Sequence, residues 1–176
     1  MSLGLQRGKV QLVPYNPQWV VLFIEEKNQI QSLLGEDIIG IEHIGSTAIP
    51  GMDAKPILDL MVAVDSLEDY VYYDQQFQKL GYTFRQDNRK NQEHILFVKG
   101  LEEKRTHYLK LTTLNSNFWR EHILFRDYLM RYPERAEEYR RLKHQLLEQY
   151  AGERPQYTED KAGFIEETIK LAEKEI

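Results

Sequence analysis

No cysteine occurs among the 176 residues, which excludes disulfides, thiolate zinc sites and cysteine nucleophiles and fits a reducing compartment. No apolar run approaches the roughly 20 residues that a membrane-spanning helix needs. The first nine residues hold no apolar core of a secretory signal, so a cytoplasmic location without a membrane partner is expected. A basic excess is missing as well: 23 Lys and Arg stand against 28 Asp and Glu, for a net charge of −5. Sequence-independent binding to a nucleic-acid backbone needs a basic face and is therefore not expected, although the balance permits a local basic pocket for a nucleotide. The sequence has neither an internal repeat nor a low-complexity linker. It lacks the Gly-x-x-x-x-Gly-Lys-Ser/Thr loop of P-loop kinases. It also lacks the Gly-x-Ser-x-Gly surroundings that would recommend Ser46 as a hydrolase nucleophile.

What is present suits a globular fold: 41% hydrophobic and 29% charged residues, in a length that fits one domain. Asn16-Pro17 opens a helix whose stripe is Trp19, Phe23, Ile30, Leu33 and Leu34, closing at Gly35. Residues 37–44 and 56–64 read as strands. In the second, Leu58, Leu60, Val62 and Val64 share one face while Asp59, Met61 and Ala63 share the other. Ser66 caps a further helix with Leu67, Tyr70, Val71, Phe77 and Leu80 facing inward. Strands follow at about 82–86, 93–99 and 104–113, joined by the turns Asp87-Asn88-Arg89-Lys90-Asn91 and Gly100-Leu101-Glu102-Glu103. Helices then run from Asn115 to about Arg131, from Pro133 to near Gly152, and onward from Thr158. This order implies an α+β fold, a small mixed sheet packed with helices. A core over about 10–113 would carry a C-terminal helical extension over about 115–176.

The densest cluster of chemistry is His43-Ile44-Gly45-Ser46-Thr47-Ala48-Ile49-Pro50-Gly51, followed by Lys55-Pro56-Ile57-Leu58-Asp59. A Gly-Ser-Thr turn offers backbone N–H groups and hydroxyls to an anion, and an acidic residue on the next strand can hold a divalent metal against that anion. The same residues also make an ordinary punctuated turn between strands, with Asp59 solvated or ion-paired. Lys55 can reach a phosphate as a point charge or lie solvated on the surface.

These motifs resemble the signature of the GrpB family, small proteins placed in the nucleotidyltransferase superfamily. The resemblance extends through Arg105-Thr106-His107, Phe125-Arg126-Asp127-Tyr128-Leu129, Pro133-Glu134, Tyr139 to Lys143 and Tyr157 to Lys161, in order along nearly the whole chain. It implies a nucleotidyltransferase-like fold and a metal-dependent transfer of a nucleoside monophosphate from a nucleoside triphosphate to an unknown hydroxyl acceptor. Gly45 and Ser46 would grip the phosphates, and Asp59 would hold Mg²⁺ or Mn²⁺. The superfamily's second acidic position falls on Met61, whose thioether is a poor ligand for a hard ion. Glu42, Asp53 or Glu93 would have to replace it. The alternative is a catalytically weakened module on the same fold that binds nucleotides or other phosphorylated ligands.

The remaining candidates have two readings each. Thr47 donates to a ligand or closes the turn. His43 binds a phosphate, acts as an acid or base near neutral pH, or is a satisfied interior histidine. Arg105 and His107 share a strand face and would form an anion pocket beside the Gly-Ser turn. His94 would face His107 across the hairpin if its turn centres on Gly100-Leu101, a pair that could bind a transition metal or flank a substrate. Arg126-Asp127 reads foremost as a structural ion pair. Lys143 and Lys161 either reach phosphate from the helical cover or belong to a charged face. His122 and His144 have no evident partner in the sequence.

Overall fold

The computed structural model describes residues 3–85, 93–150 and 154–175. The loop expected over Asp87–Asn91 and the helix end expected at Gly152 lie outside them. Helix α1 spans Gln18–Leu34, its start held by the Asn16 side chain, which accepts the Gln18 N–H at 3.0 Å. Strands β1 (Gly40–Ile44) and β2 (Leu58–Val64) follow, then α2 (Tyr70–Lys79), β3 (Tyr82–Phe84), β4 (His94–Leu101) and β5 (Lys104–Thr113). Four helices complete the described chain: α3 (Asn117–Arg131), α4 (Pro133–Gln149), α5 (Arg154–Glu159) and α6 (Ala162–Glu173). Ser116 caps α3 by accepting the Trp119 N–H at 3.1 Å, and Pro133 starts α4 where its missing N–H costs nothing.

The strands form a mixed sheet in the order β1-β2-β5-β4-β3, with β2 and β5 parallel and the other pairs antiparallel. Alternation along β2 decides what lies on each face. Leu58, Leu60, Val62 and Val64 pack with Leu109, Leu111 and Phe97 under Trp19, Ile30 and Leu34 of α1 and Tyr73 and Phe77 of α2. Asp59 and Met61 point the other way, in register with Tyr108 and Lys110 of β5. Helix α3 packs against β1 and β5, and against α4 and α6.

Three expectations need correction. Within α2 it is Tyr73 that is buried, while Val71 is 52% exposed. The inward stripe runs through Tyr73, Phe77 and Leu80 at helical spacing, which leaves Val71 on the outer face. The third C-terminal helix expected after Thr158 is α6, and a short additional helix, α5, precedes it. The β4–β5 hairpin turns at Glu102-Glu103, with a bulge between Lys99 and Gly100. Gly100 permits that bulge: its φ is +91°, and a Cβ there would stand 2.5 Å from the Lys104 carbonyl oxygen. In the resulting register His94 lies opposite Thr112 and His107 opposite Lys99. The two histidines are not partners.

Candidate functional site

Strand β1 ends at Ile44, and Gly45 turns the chain into a short 3-10 turn over Ser46–Ala48. Ile44 pairs with Asp59, so the turn sits over the carboxylate. Gly45 has φ 71° and ψ −175°, a region essentially confined to glycine. Below the turn lies a cleft of about 270 Å³ whose lining includes Gly45, Ser46, Thr47, Asp59 and four lysines: Lys55, Lys110, Lys143 and Lys161. Four lysines against one carboxylate make a cationic concavity in a chain whose net charge is −5.

Each lysine reaches the cleft from a different element. Lys110 comes from β5 and donates to Asp59 Oδ1 at 3.1 Å. Lys55, from the segment before β2, and Lys161, at the start of α6, lie 4.8 and 4.5 Å from the ring centroid of Tyr157 on α5. Cation–π contact ties both ammonium groups to the same aromatic ring. Lys143, on α4, is 2% exposed. It donates to Ser46 Oγ at 3.1 Å and to the carbonyl oxygen of Asp53. Burial, reinforced by Lys161, Lys55 and Arg140, pushes its ammonium down to about 7, against the pull of Asp53. Tyr139, one turn before Lys143 on α4, places its ring 4.9 Å from that ammonium.

His43 supports the turn from beneath. Its Nε2 lies 2.9 Å from Thr47 Oγ1, and its ring stacks on Phe23 at 4.7 Å. Burial lowers it to about 4, so it stays neutral. Arg126 locks α3 to β1, donating to Glu42 Oε2 at 2.6 Å and to the His43 carbonyl at 2.9 Å. Its Nε meets Asp127 at 2.7 Å. Asp53 faces His144 at 2.7 Å and Arg140 at 3.5 Å.

Arg105 and His107 do not join the cleft. His107 pairs with Leu58, on the α1 side of the sheet, and lies 3.9 Å from Glu26, which also binds Lys99 at 2.8 Å. Arg105 donates to the Gly100 carbonyl at 2.6 Å. His94 stacks on Phe118 at 4.1 Å, and Phe118 meets His122 at the same distance. His122 and His144 thus both have partners, contrary to expectation. Sequence reasoning missed Lys110, Tyr139 and Tyr157. The spacing of Tyr139 and Lys143 marks one helix face, whereas Lys110 joins Asp59 only through the parallel β2–β5 register.

The donor set does not fit a two-magnesium centre. Asp59 is bonded to Lys110 and Glu42 to Arg126, and Met61 offers a soft sulfur. Among the described residues no group of three or more His, Asp or Glu is placed to hold a metal ion. Among them, too, no helix is long and apolar enough to cross a membrane.

Comparison with known proteins places the chain. A family model described as GrpB protein matches residues 9–171. The chain is 40% identical over 167 residues to UPF0157 protein YqkA of Bacillus subtilis, covering 95% of this chain but only 47% of that protein, about half its length. It is 34% identical over 170 residues to glutamate-rich protein GrpB of Alkalihalophilus pseudofirmus, covering 95% of this chain and 98% of that one. The crystal structure of conserved protein GrpB from Enterococcus faecalis matches with a TM-score of 0.83 at 32% identity, over 94% of this chain and 98% of that chain. By sequence and by fold alike, the chain belongs to the GrpB family.

Proposed function

We propose that the lysine cleft binds a phosphorylated ligand, a nucleoside polyphosphate being the class its charge suits best. The observation that carries this reading is the convergence of Lys55, Lys110, Lys143 and Lys161 on the Gly45-Ser46-Thr47 turn. Pockets that enclose a drug-sized ligand run to about 300–1,000 Å³. A cleft of about 270 Å³ therefore takes the phosphate-bearing end of a ligand. Lys55, Lys110 and Lys161 act there as point charges, with the Ser46 hydroxyl as an orienting donor, while the Thr47 hydroxyl stays with His43 and closes the turn.

Metal-dependent nucleotidyl transfer is the second reading, and the Asp59 carboxylate beside Gly45 is the observation that favours it. It requires an acceptor hydroxyl to attack the α-phosphorus and expel pyrophosphate with Mg²⁺ or Mn²⁺ present. The commitments of Asp59 and Glu42 to cations weigh against it.

Thermal unfolding separates the two. Pyrophosphate and each nucleoside triphosphate are added with and without Mg²⁺ or Mn²⁺ to the parent and to Asp59→Asn. Saturation at about 100 times the dissociation constant adds roughly 2.7 kcal/mol. The cleft reading predicts stabilisation without metal that survives Asp59→Asn, because that change removes the one carboxylate facing the anion. Stabilisation that requires metal and vanishes in Asp59→Asn supports nucleotidyl transfer instead. No stabilisation under any condition contradicts both.

A further inference from the structure

The geometry points to Ser46 as a nucleophile that takes a phosphoryl group from a phosphoanhydride, with Lys143 as the base that removes its proton. This rests on the phosphate-cleft reading above and gives that site a reaction.

Ser46 Oγ and Lys143 Nζ are 3.1 Å apart, at the wall of the lysine cleft. The Asp53 carbonyl oxygen holds one N–H of Lys143, so a neutral amine can turn its lone pair toward the serine hydroxyl. The groups acting on that amine come from several elements: Lys55 before β2, Lys161 before α6, Arg140 on α4 and Asp53 in the turn segment. Burial and the three cations bring it down to about 7, leaving a substantial neutral fraction at neutral pH. Tyr139 stands beside Ser46, and burial pushes its phenol well above the ordinary range. It therefore stays protonated and does not compete as a base. In the step, a bond forms from Ser46 Oγ to phosphorus as the bridging P–O bond of the anhydride breaks. The serine proton passes to Lys143, and the leaving phosphate departs as an anion held by Lys110 and Lys161.

The test incubates the full chain with inorganic triphosphate across the pH range around 7, followed by acid quench and peptide mass spectrometry. Binding is followed in parallel by thermal unfolding. The expected result is one phosphoryl group on Ser46, absent in Ser46→Ala, forming at a rate that rises with pH through an inflection at or above 7, because the bound polyanion favours the ammonium, and is lost in Lys143→Met. The parent's pH profile carries the test should Lys143→Met fail to fold. Triphosphate that binds but leaves Ser46 unmodified overturns this inference and leaves the cleft reading intact. Phosphorylation with a flat pH profile, or at the parental rate in Lys143→Met, overturns the role of Lys143. Triphosphate that neither binds nor modifies overturns both.

Discussion

A Cβ on Gly45 would stand 3.0 Å from Asp59 Oδ2 and 3.2 Å from Asp59 Cβ. The turn carrying Ser46 therefore rests directly on the carboxylate of the neighbouring strand. Gly45→Ala meets both the steric limit and a glycine-only backbone conformation, at a cost of about 1–3 kcal/mol. Urea unfolding should show a lower midpoint with an unchanged slope, accompanied by weaker phosphate binding. A parental midpoint would mean that the turn tolerates a side chain.

Arg126 joins α3 to β1 through Glu42 and the His43 carbonyl. Replacing it by Met leaves both acceptors without their charged donor and should cost about 1–3 kcal/mol. Glu42→Gln, by contrast, should leave any metal dependence of ligand binding unaltered, because this account gives Glu42 no metal to hold. A Mg²⁺ requirement that disappears in Glu42→Gln, measured by titration calorimetry, would reinstate Glu42 as a ligand.

On the other face of the sheet, Lys99 binds both oxygens of Glu26, whose side chain is 5% exposed. Glu26→Ala strands a partly buried ammonium and removes the link from α1 to β4. A loss of about 3–5 kcal/mol is the scale for breaking such a pair, and the 25% exposure of Lys99 moves the expectation toward the lower end. Phosphate affinity, read on the folded variant, should stay at the parental value, since this pair lies across the sheet from the cleft.

Four histidines, His43, His94, His107 and His122, are each lowered to about 4, with burial as the leading cause. The unfolded chain takes up these protons near pH 6.5, while the folded chain resists until about 4. Stability is therefore whole above the upper value and drains as pH falls through that window. Chemical denaturation at stepped pH should show a steep decline there. Asn at all four positions should flatten it, and an unchanged slope would contradict their neutral burial.

The sequence exposed much of this architecture because its strongest signals are local. The alternation of Leu58, Leu60, Val62 and Val64 with Asp59, Met61 and Ala63 assigns both faces of β2 and requires no partner to be known. The Gly45 turn and Asp59 are close in sequence and meet on adjacent antiparallel strands. Illegible were the features that depend on distant pairing. Lys110 reaches Asp59 through the parallel β2–β5 register, and Tyr157 brings Lys55 and Lys161 together from separate segments. Gly100 reads as a turn residue in the sequence but forms a bulge in the structure. That difference moved the hairpin and separated His94 from His107.

Titration calorimetry of inorganic triphosphate, free of divalent metal, into the parent and into Lys55→Met, Lys110→Met and Lys161→Met bears on the lysine cleft itself. Saturable binding to the parent is the predicted result, weakened about tenfold or more by each substitution, the scale of one charge-assisted hydrogen bond. Binding that appears only with Mg²⁺, or that is indifferent to all three lysines, would contradict the account.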